Sequence, residues 1–341
     1  MMTETVLVTG ATGYLAGWCL VELLRRGYRV RTTIRSPGRE AAVRVAVGAE
    51  VDLGDRLTFA IADLTADAGW EEAVAGCDYV LHVASSLGGG NEEKDPDSLI
   101  VPARDGTLRV LRAAVAAGVQ RVVMTSSCAA ATPPTRDDIV VDETVWTDPD
   151  QAGLTAYRRS KTVAERAAWD YIERTDGSTQ LTTVLPGAIF GPALTVDNFG
   201  SLQVLSRMLE GRVPRYPSLA FEVVDVRDVA DLHIRAMTAP EAEGERFIAT
   251  GELLWMGELA AILREQLGPA AAKVPAKPMP DLLVRVAARF NPELRTLLPL
   301  LGRKLRHSSA KAQRMLGWQP RPAVDTVVDS GRNIIGWPSH L

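Results

Sequence analysis

The stretch TVLVTGATGYLAGWCLVELLRRGYRVRTTIR, residues 5–35, decides the fold. It opens with a short β-branched run, residues 5–10, that ends on a glycine. Residues 14–27 read as a helix with a glycine stop, and residues 28–35 as a second strand closed by Ser36, Pro37 and Gly38. Strand, helix and strand within about 30 residues form a β-α-β unit, the crossover that parallel strands require. Gly10, Gly13 and Ala16 fall as GxxGxxA where strand passes into helix. Glycine there permits φ > 0. A missing side chain lets a pyrophosphate approach N–H groups at a helix N-terminus, where the dipole favours an anion. A small residue at position 16 permits close helix–strand packing. Glycine turns are common and can be plain tight turns; the β-α-β context favours a dinucleotide.

The rhythm continues outward. Residues 57–64, 78–85 and 120–127 read as strands, a sixth begins at Gln180, and a seventh covers 246–251. Residues 98–118 and 156–175 read as helices, and 221–237 as a strand followed by a helix. This predicts an α/β fold, a doubly wound, mostly parallel Rossmann sheet with helices on both faces. A smaller, mainly helical C-terminal substrate domain accompanies it. The expected division is 1–185 plus about 221–250 for the dinucleotide, and about 186–220 plus 251–341 for the substrate. Within 280–290, Leu283, Val286, Ala287 and Phe290 share one helix face, which reads as core.

The end of the second strand selects the dinucleotide. An NAD site usually carries Asp or Glu there for the ribose 2′-OH. This chain has Arg35, then Ser36, with Arg39 nearby. A carboxylate repels a 2′-phosphate, whereas a guanidinium binds one bidentately, so NADP(H) is expected. Asp63, after the third strand, suits the adenine amino group; as an isolated Asp in a turn it also has a purely structural reading.

Tyr157 and Lys161 form a YxxxK pair, which a helix presents on one face. Ser126 and Ser127 end the fifth strand, at the sheet edge where ligands sit. Tyrosine is a weak acid at neutral pH, with a free pKa near ~10. A neighbouring ammonium and a positive nicotinamide ring are expected to lower it. Serine and tyrosine hydroxyls can then grip one carbonyl oxygen, and Lys161 the nicotinamide ribose.

Taken together these motifs resemble an extended short-chain dehydrogenase/reductase. The closer resemblance is to the dihydroflavonol reductase-like group, with its cinnamoyl-CoA reductases and carbonyl reductases. It rests on VTGATGYLAGWC (8–19), VRTTIRSP (30–37), ADLT (62–65), LHVASS (81–86), RVVMTSSCAA (121–130), YRRSKTVAERAAW (157–169), PGAIFGP (186–192), VVDVRDVADLH (223–233) and LGWQPR (316–321). The resemblance implies NADPH-dependent reduction of an aldehyde or ketone. It implies Ser127 as the catalytic serine, with Ser126 as fallback, Tyr157 as proton donor and Lys161 as its tuner. It places the cofactor against Gly10, Thr12, Gly13, Tyr14, Leu15, Arg35, Asp63, Leu64, Thr125, Tyr157 and Lys161. Val83, Ala84 and Ser85 would line its path largely through backbone, and Pro186, Gly187 and Ile189 would flank the nicotinamide.

Two positions depart from the family pattern. Arg109 stands where relatives often have Asn, which puts a proton relay through that site in doubt. Ala41 and Ala42 lie where many relatives hold a phosphate-binding lysine, so Arg39 or Arg44 would have to substitute. His82 reads as a core histidine before a catalytic one, and Cys128 as packing. Residues 190–216, with Phe199, Leu202, Leu205, Met208 and Tyr216, read equally as an apolar substrate pocket or as core.

Two other functions compete. A nucleotide-sugar epimerase or dehydratase keeps NAD and needs basic residues for a diphosphate; Arg35 opposes it, while Arg207, Arg212 and Arg215 keep it open. A non-catalytic NADP sensor tends to lose the Tyr–Lys pair that this chain retains. Composition narrows the classes further. The 341 residues are 46% apolar and 23% charged with net charge -4, which gives no reason to expect nucleic acid or a membrane. Cys19, Cys77 and Cys128 form no CxxC and fit a reducing compartment without a metal framework. The expectation is a cytoplasmic enzyme with a small carbonyl substrate, a monomer or homodimer.

Overall fold

The computed structural model describes residues 4–85, 95–135, 137–195, 200–290 and 292–337. Ser86 and Phe199 lie outside them. The first unit is β1 (Thr5–Val8), α1 (Tyr14–Arg25) and β2 (Arg29–Ile34). Then follow α2 (Glu40–Gly48), β3 (Leu57–Ile61), α3 (Trp70–Val74), β4 (Tyr79–His82), α4 (Asp97–Ala116), β5 (Arg121–Thr125) and the short β6 (Val140–Val141). The middle of the chain forms α5 (Ala156–Glu173), β7 (Gln180–Pro186), β8 (Ala188–Phe190), α6 (Gln203–Leu209), β9 (Ala220–Asp225) and α7 (Val226–Thr238). The remainder is β10 (Arg246–Ala249), β11 (Leu253–Trp255), α8 (Met256–Leu267), α9 (Asp281–Ala287), α10 (Pro292–Leu297), β12 (Arg306–His307), α11 (Ala310–Leu316) and α12 (Ala323–Gly336).

Seven strands form one sheet in the order β10-β7-β5-β4-β1-β2-β3, all parallel. The chain leaves β1 toward one edge and returns through β4 toward the other. The strand order therefore reverses between β1 and β4, and a crevice opens at their carboxyl ends. Helices α1, α2 and α7 pack Leu20, Leu23, Val43 and Leu232 on one face. Helices α3, α4 and α5 pack Trp70, Leu111 and Ala168 on the other. Among the described residues no helix is long and apolar enough to cross a membrane.

Several expectations change. Residues 38–56 carried no assignment, and α2 lies there. Its Val43 and Val47 meet the core one turn apart, in a segment whose valines have weak helix propensity. The sixth strand of the sheet begins at Gln180 as expected, and a further strand follows it directly. A Cβ on Gly187 would come 2.4 Å from the Glu222 carbonyl oxygen, so the backbone passes against β9 there. β8 then joins a separate sheet, β11-β9-β8. The C-terminal region is helical but also contributes β11 and β12, the latter paired with β6. Leu202, Leu205 and Met208 are fully buried against Met256, Leu259 and Val327, so they are core. The phase of α9 also differs from expectation. It buries Val284 against Leu219 and Leu301, leaving Leu283 54% and Phe290 85% exposed.

Candidate active site

The glycine turn sits at the strand reversal. Gly10 has φ +78°, and its N–H donates to Thr33 Oγ1 at 2.9 Å. A Cβ on it would lie 2.8 Å from the Ala84 Cβ. Thr9 ties the two strand ends together, its Oγ1 accepting from the Ala84 N–H at 2.9 Å. Gly13 is the N-cap of α1, and no side chain caps that end or places a carboxylate in its first turn. The first N–H groups of α1 are thus free of side-chain competition for an anion. Leu15 turns its side chain into the core, which leaves only its backbone for a ligand. The Tyr14 hydroxyl donates to the Gly191 carbonyl at 2.8 Å, and burial raises its pKa well above the usual value.

The strand ends beside this turn carry the charged candidates. Arg35 is exposed just past β2. Arg39 lines a small cavity with Thr12, Gly13, Val43 and Leu194. Arg44 is committed elsewhere, to Glu40 at 2.8 Å and to the Phe59 ring at 4.9 Å. Of the two candidate helpers for Arg35, only Arg39 borders the glycine turn. Asp63 Oδ1 accepts from the Thr65 N–H and hydroxyl, both at 2.8 Å. Those bonds, with smaller help from Arg35 and Arg109, hold its carboxyl below the usual range. Arg109 donates to the Leu64 carbonyl at 2.8 Å and pairs with Asp67. It pins the loop after β3 onto α4.

Tyr157, Lys161 and Glu165 occupy successive turns of one face of α5. Thr155 caps the helix by accepting from the Arg158 N–H at 3.3 Å. Ser127 follows β5 in extended conformation, its Oγ accepting from the Ala129 N–H at 3.2 Å. Ser127, at the strand end, acts on the Tyr157 phenol at the start of the helix and favours its ionised form. The Tyr157 residue is 44% exposed overall, but its hydroxyl end is enclosed. Enclosure raises its pKa, and the Ser127 hydroxyl opposes this. The expected lowering by Lys161 does not occur among the protein groups. Burial instead lowers the Lys161 pKa to about 8, with Glu165 acting the other way.

Ser126, the fallback serine, is buried and donates to Glu165 Oε2 at 2.5 Å. The Thr125 hydroxyl meets His233 Nε2 at 2.7 Å. His233 Nδ1–H donates to the Val229 carbonyl, so Nε2 accepts, and burial lowers the ring's pKa to about 4. His82 lies between Thr9 and Thr107 at 3.1 and 3.4 Å. Burial and then Lys161 lower its pKa to about 3, leaving a neutral structural ring. Cys128 is buried against the Leu185 carbonyl at 3.2 Å, with its thiol pKa raised by burial. Val83, Ala84 and Ser85 follow β4, while Pro186, Gly187 and Ile189 span the junction of the two sheets.

Sequence reading missed what holds this arrangement from behind. Glu165 accepts from Ser126, from Thr183 at 2.8 Å and from Arg246 at 2.9 Å, all buried. The Arg246 guanidinium also covers the Trp146 ring at 3.6 Å. The one available signal was spacing: Tyr157, Lys161 and Glu165 recur every four residues.

The sequence matches the model of the NAD dependent epimerase/dehydratase family over residues 6–249. It is 38% identical over 266 residues to cinnamoyl-CoA reductase 1 of Petunia hybrida, covering 76% of each chain. It is 33% identical over 273 residues to dihydroflavonol 4-reductase of Zea mays, covering 77% of this chain and 74% of that one. Among solved structures it resembles yeast methylglyoxal/isovaleraldehyde reductase Gre2 complexed with NADPH. The TM-score is 0.81 at 25% identity, over 97% of this chain and 98% of the other.

Proposed function

Because the chain belongs to the NAD dependent epimerase/dehydratase family, and its relatives above are reductases, we propose that it is an NADPH-dependent carbonyl reductase with Tyr157 as proton donor. The observation that carries the reading is the placement of Tyr157 and Lys161 on one face of α5, with Ser127 at the end of β5 acting on the Tyr157 phenol. The residues present suit NADP(H). Gly10 leaves the strand end open beside Ala84, and the uncapped N-terminus of α1 offers N–H donors to a diphosphate. Arg35, with Arg39 nearby, would hold the 2′-phosphate bidentately, where an acidic residue would repel it. Ala84, Ser85, Pro186, Gly187 and Ile189 would guide the rest of the cofactor.

When bound, the dihydronicotinamide supplies a hydride to the carbonyl carbon. The chain's own groups manage the oxygen. Ser127 donates a hydrogen bond to it, and Tyr157 donates the proton that completes the alcohol. Lys161 contributes its ammonium to the ribose. Glu165 fixes the face of α5 that carries both. Residues 186–220 and 251–341 would shape the substrate side.

The test is product chemistry. Protein, NADPH and a panel of aromatic aldehydes, α-keto esters and β-diketones should yield the corresponding alcohols. Nucleotide sugars should return unchanged. Epimerised or dehydrated sugar without net cofactor consumption would instead establish the epimerase reading.

A further inference from the structure

Next to Tyr157 stands an arginine whose charge the protein does not answer. Arg158 has its backbone fully employed in the first turns of α5, with its N–H on Thr155 and its carbonyl accepting from Thr162. Its guanidinium is different. Nη2 is buried and has no hydrogen-bond partner. Among the described residues no carboxylate pairs with it, and the charge that acts on it is another cation, Arg303. Arg303 donates to the Pro133 carbonyl at 2.9 Å, just beyond Ser127 in sequence. Glu222 is engaged by His307 Nδ1 at 2.6 Å, and His307 Nε2 faces Thr132 at 3.2 Å.

Burial and the Arg303 charge together lower the Arg158 pKa to about 10. An arginine that merely covers apolar surface keeps its head in water; this one encloses a donor. A buried donor left unmade is costly, and a second guanidinium beside it adds repulsion. A carboxylate or phosphate relieves both at once, by charge and by the planar fork of donors.

We propose that Arg158, with Arg303 beside it, is an anion anchor of the substrate cleft, and that the preferred carbonyl substrate carries a carboxylate or phosphate away from its reacting carbonyl. The inference rests on the reductase reading for the reacting group, but the anchor itself does not depend on turnover.

The test compares 3-formylbenzoate, its methyl ester and 3-formylphenyl phosphate as substrates with NADPH. Wild type, Arg158→Gln and Arg158→Lys are assayed, with thermal unfolding as a fold control. The charged aldehydes should have KM values roughly 10-fold or more below the ester, as expected for a charge-assisted anchor. Arg158→Gln should abolish that advantage and Arg158→Lys retain part of it. The better of the two charged substrates distinguishes carboxylate from phosphate. Equal KM values for all three in wild type, or an advantage that survives in folded Arg158→Gln, overturn the proposal. Calorimetry with 3-formylbenzoate on the NADP+-loaded protein separates the two readings. Arg158-dependent binding without turnover of any aldehyde keeps the anchor and removes the reductase. Turnover of the ester alone, with no binding of the acid, does the reverse.

Discussion

Replacing Gly10 with alanine tests the cofactor cradle through two separable costs. The backbone there has φ +78°, a left-handed conformation that costs an L-residue ~1–2 kcal/mol. The added Cβ would also stand 2.8 Å from the Ala84 Cβ. Ordinary carbon contacts lie at about 3.5–4.0 Å, so the ends of β1 and β4 must separate. Overpacking of that kind costs ~1–3 kcal/mol. Gly118→Ala is the matched control. Gly118 has φ +70° and open space where its Cβ would go, so it carries the backbone cost alone. Urea unfolding should show Gly10→Ala losing ~1–3 kcal/mol more than Gly118→Ala. Fluorescence titration should show NADPH affinity falling ~10-fold or more only in Gly10→Ala, equivalent to at least ~1.4 kcal/mol of binding. Equal destabilisation of the two variants, with equal NADPH affinity, would refute the close-approach argument.

Three further perturbations address the charges. Arg35→Glu should cut the preference for NADPH over NADH by ~10-fold or more, because a bidentate phosphate contact becomes a repulsion; steady-state kinetics with each cofactor decide it. Glu165→Gln should destabilise the fold by ~3–5 kcal/mol by leaving the Arg246 charge buried without its counterion, read as a shifted denaturation midpoint. The Lys161 pKa, lowered to about 8 by burial, means that the ammonium is present below that pH and lost above it. The pH profile of kcat/KM for reduction should therefore fall as pH rises through about 8, and a profile flat well beyond that point contradicts the assignment.

What was legible in the sequence was local. The GxxGxxA turn and the YxxxK pair each lie within a few residues, so spacing alone places Gly10 by α1 and Tyr157 above Lys161. The sheet followed from alternating strands and helices and the handedness of their crossovers. What was hidden depends on partners far along the chain. Arg246 is 81 residues from Glu165, and no pattern joins them. Residues 280–290 showed an apolar stripe at Leu283, Val286, Ala287 and Phe290, yet the rotation of α9 is set by Leu219 and Leu301, which hold Val284. Helix α2 was missed because its valines speak against a helix while its tertiary contacts favour one. The family resemblance ranked Ser127 ahead of Ser126, but the buried bond that commits Ser126 to Glu165 had no sequence signal.

The central claim is that Tyr157 completes an NADPH-driven carbonyl reduction. The direct measurement is aldehyde-dependent loss of NADPH absorbance by wild type and by Tyr157→Phe, with NADPH binding to each titrated in parallel. The account predicts turnover in wild type, weak turnover with NADH, and a loss of ~100-fold or more in the variant, the scale of a missing general acid, with cofactor binding retained. Undiminished turnover in a folded, NADPH-binding Tyr157→Phe would contradict it.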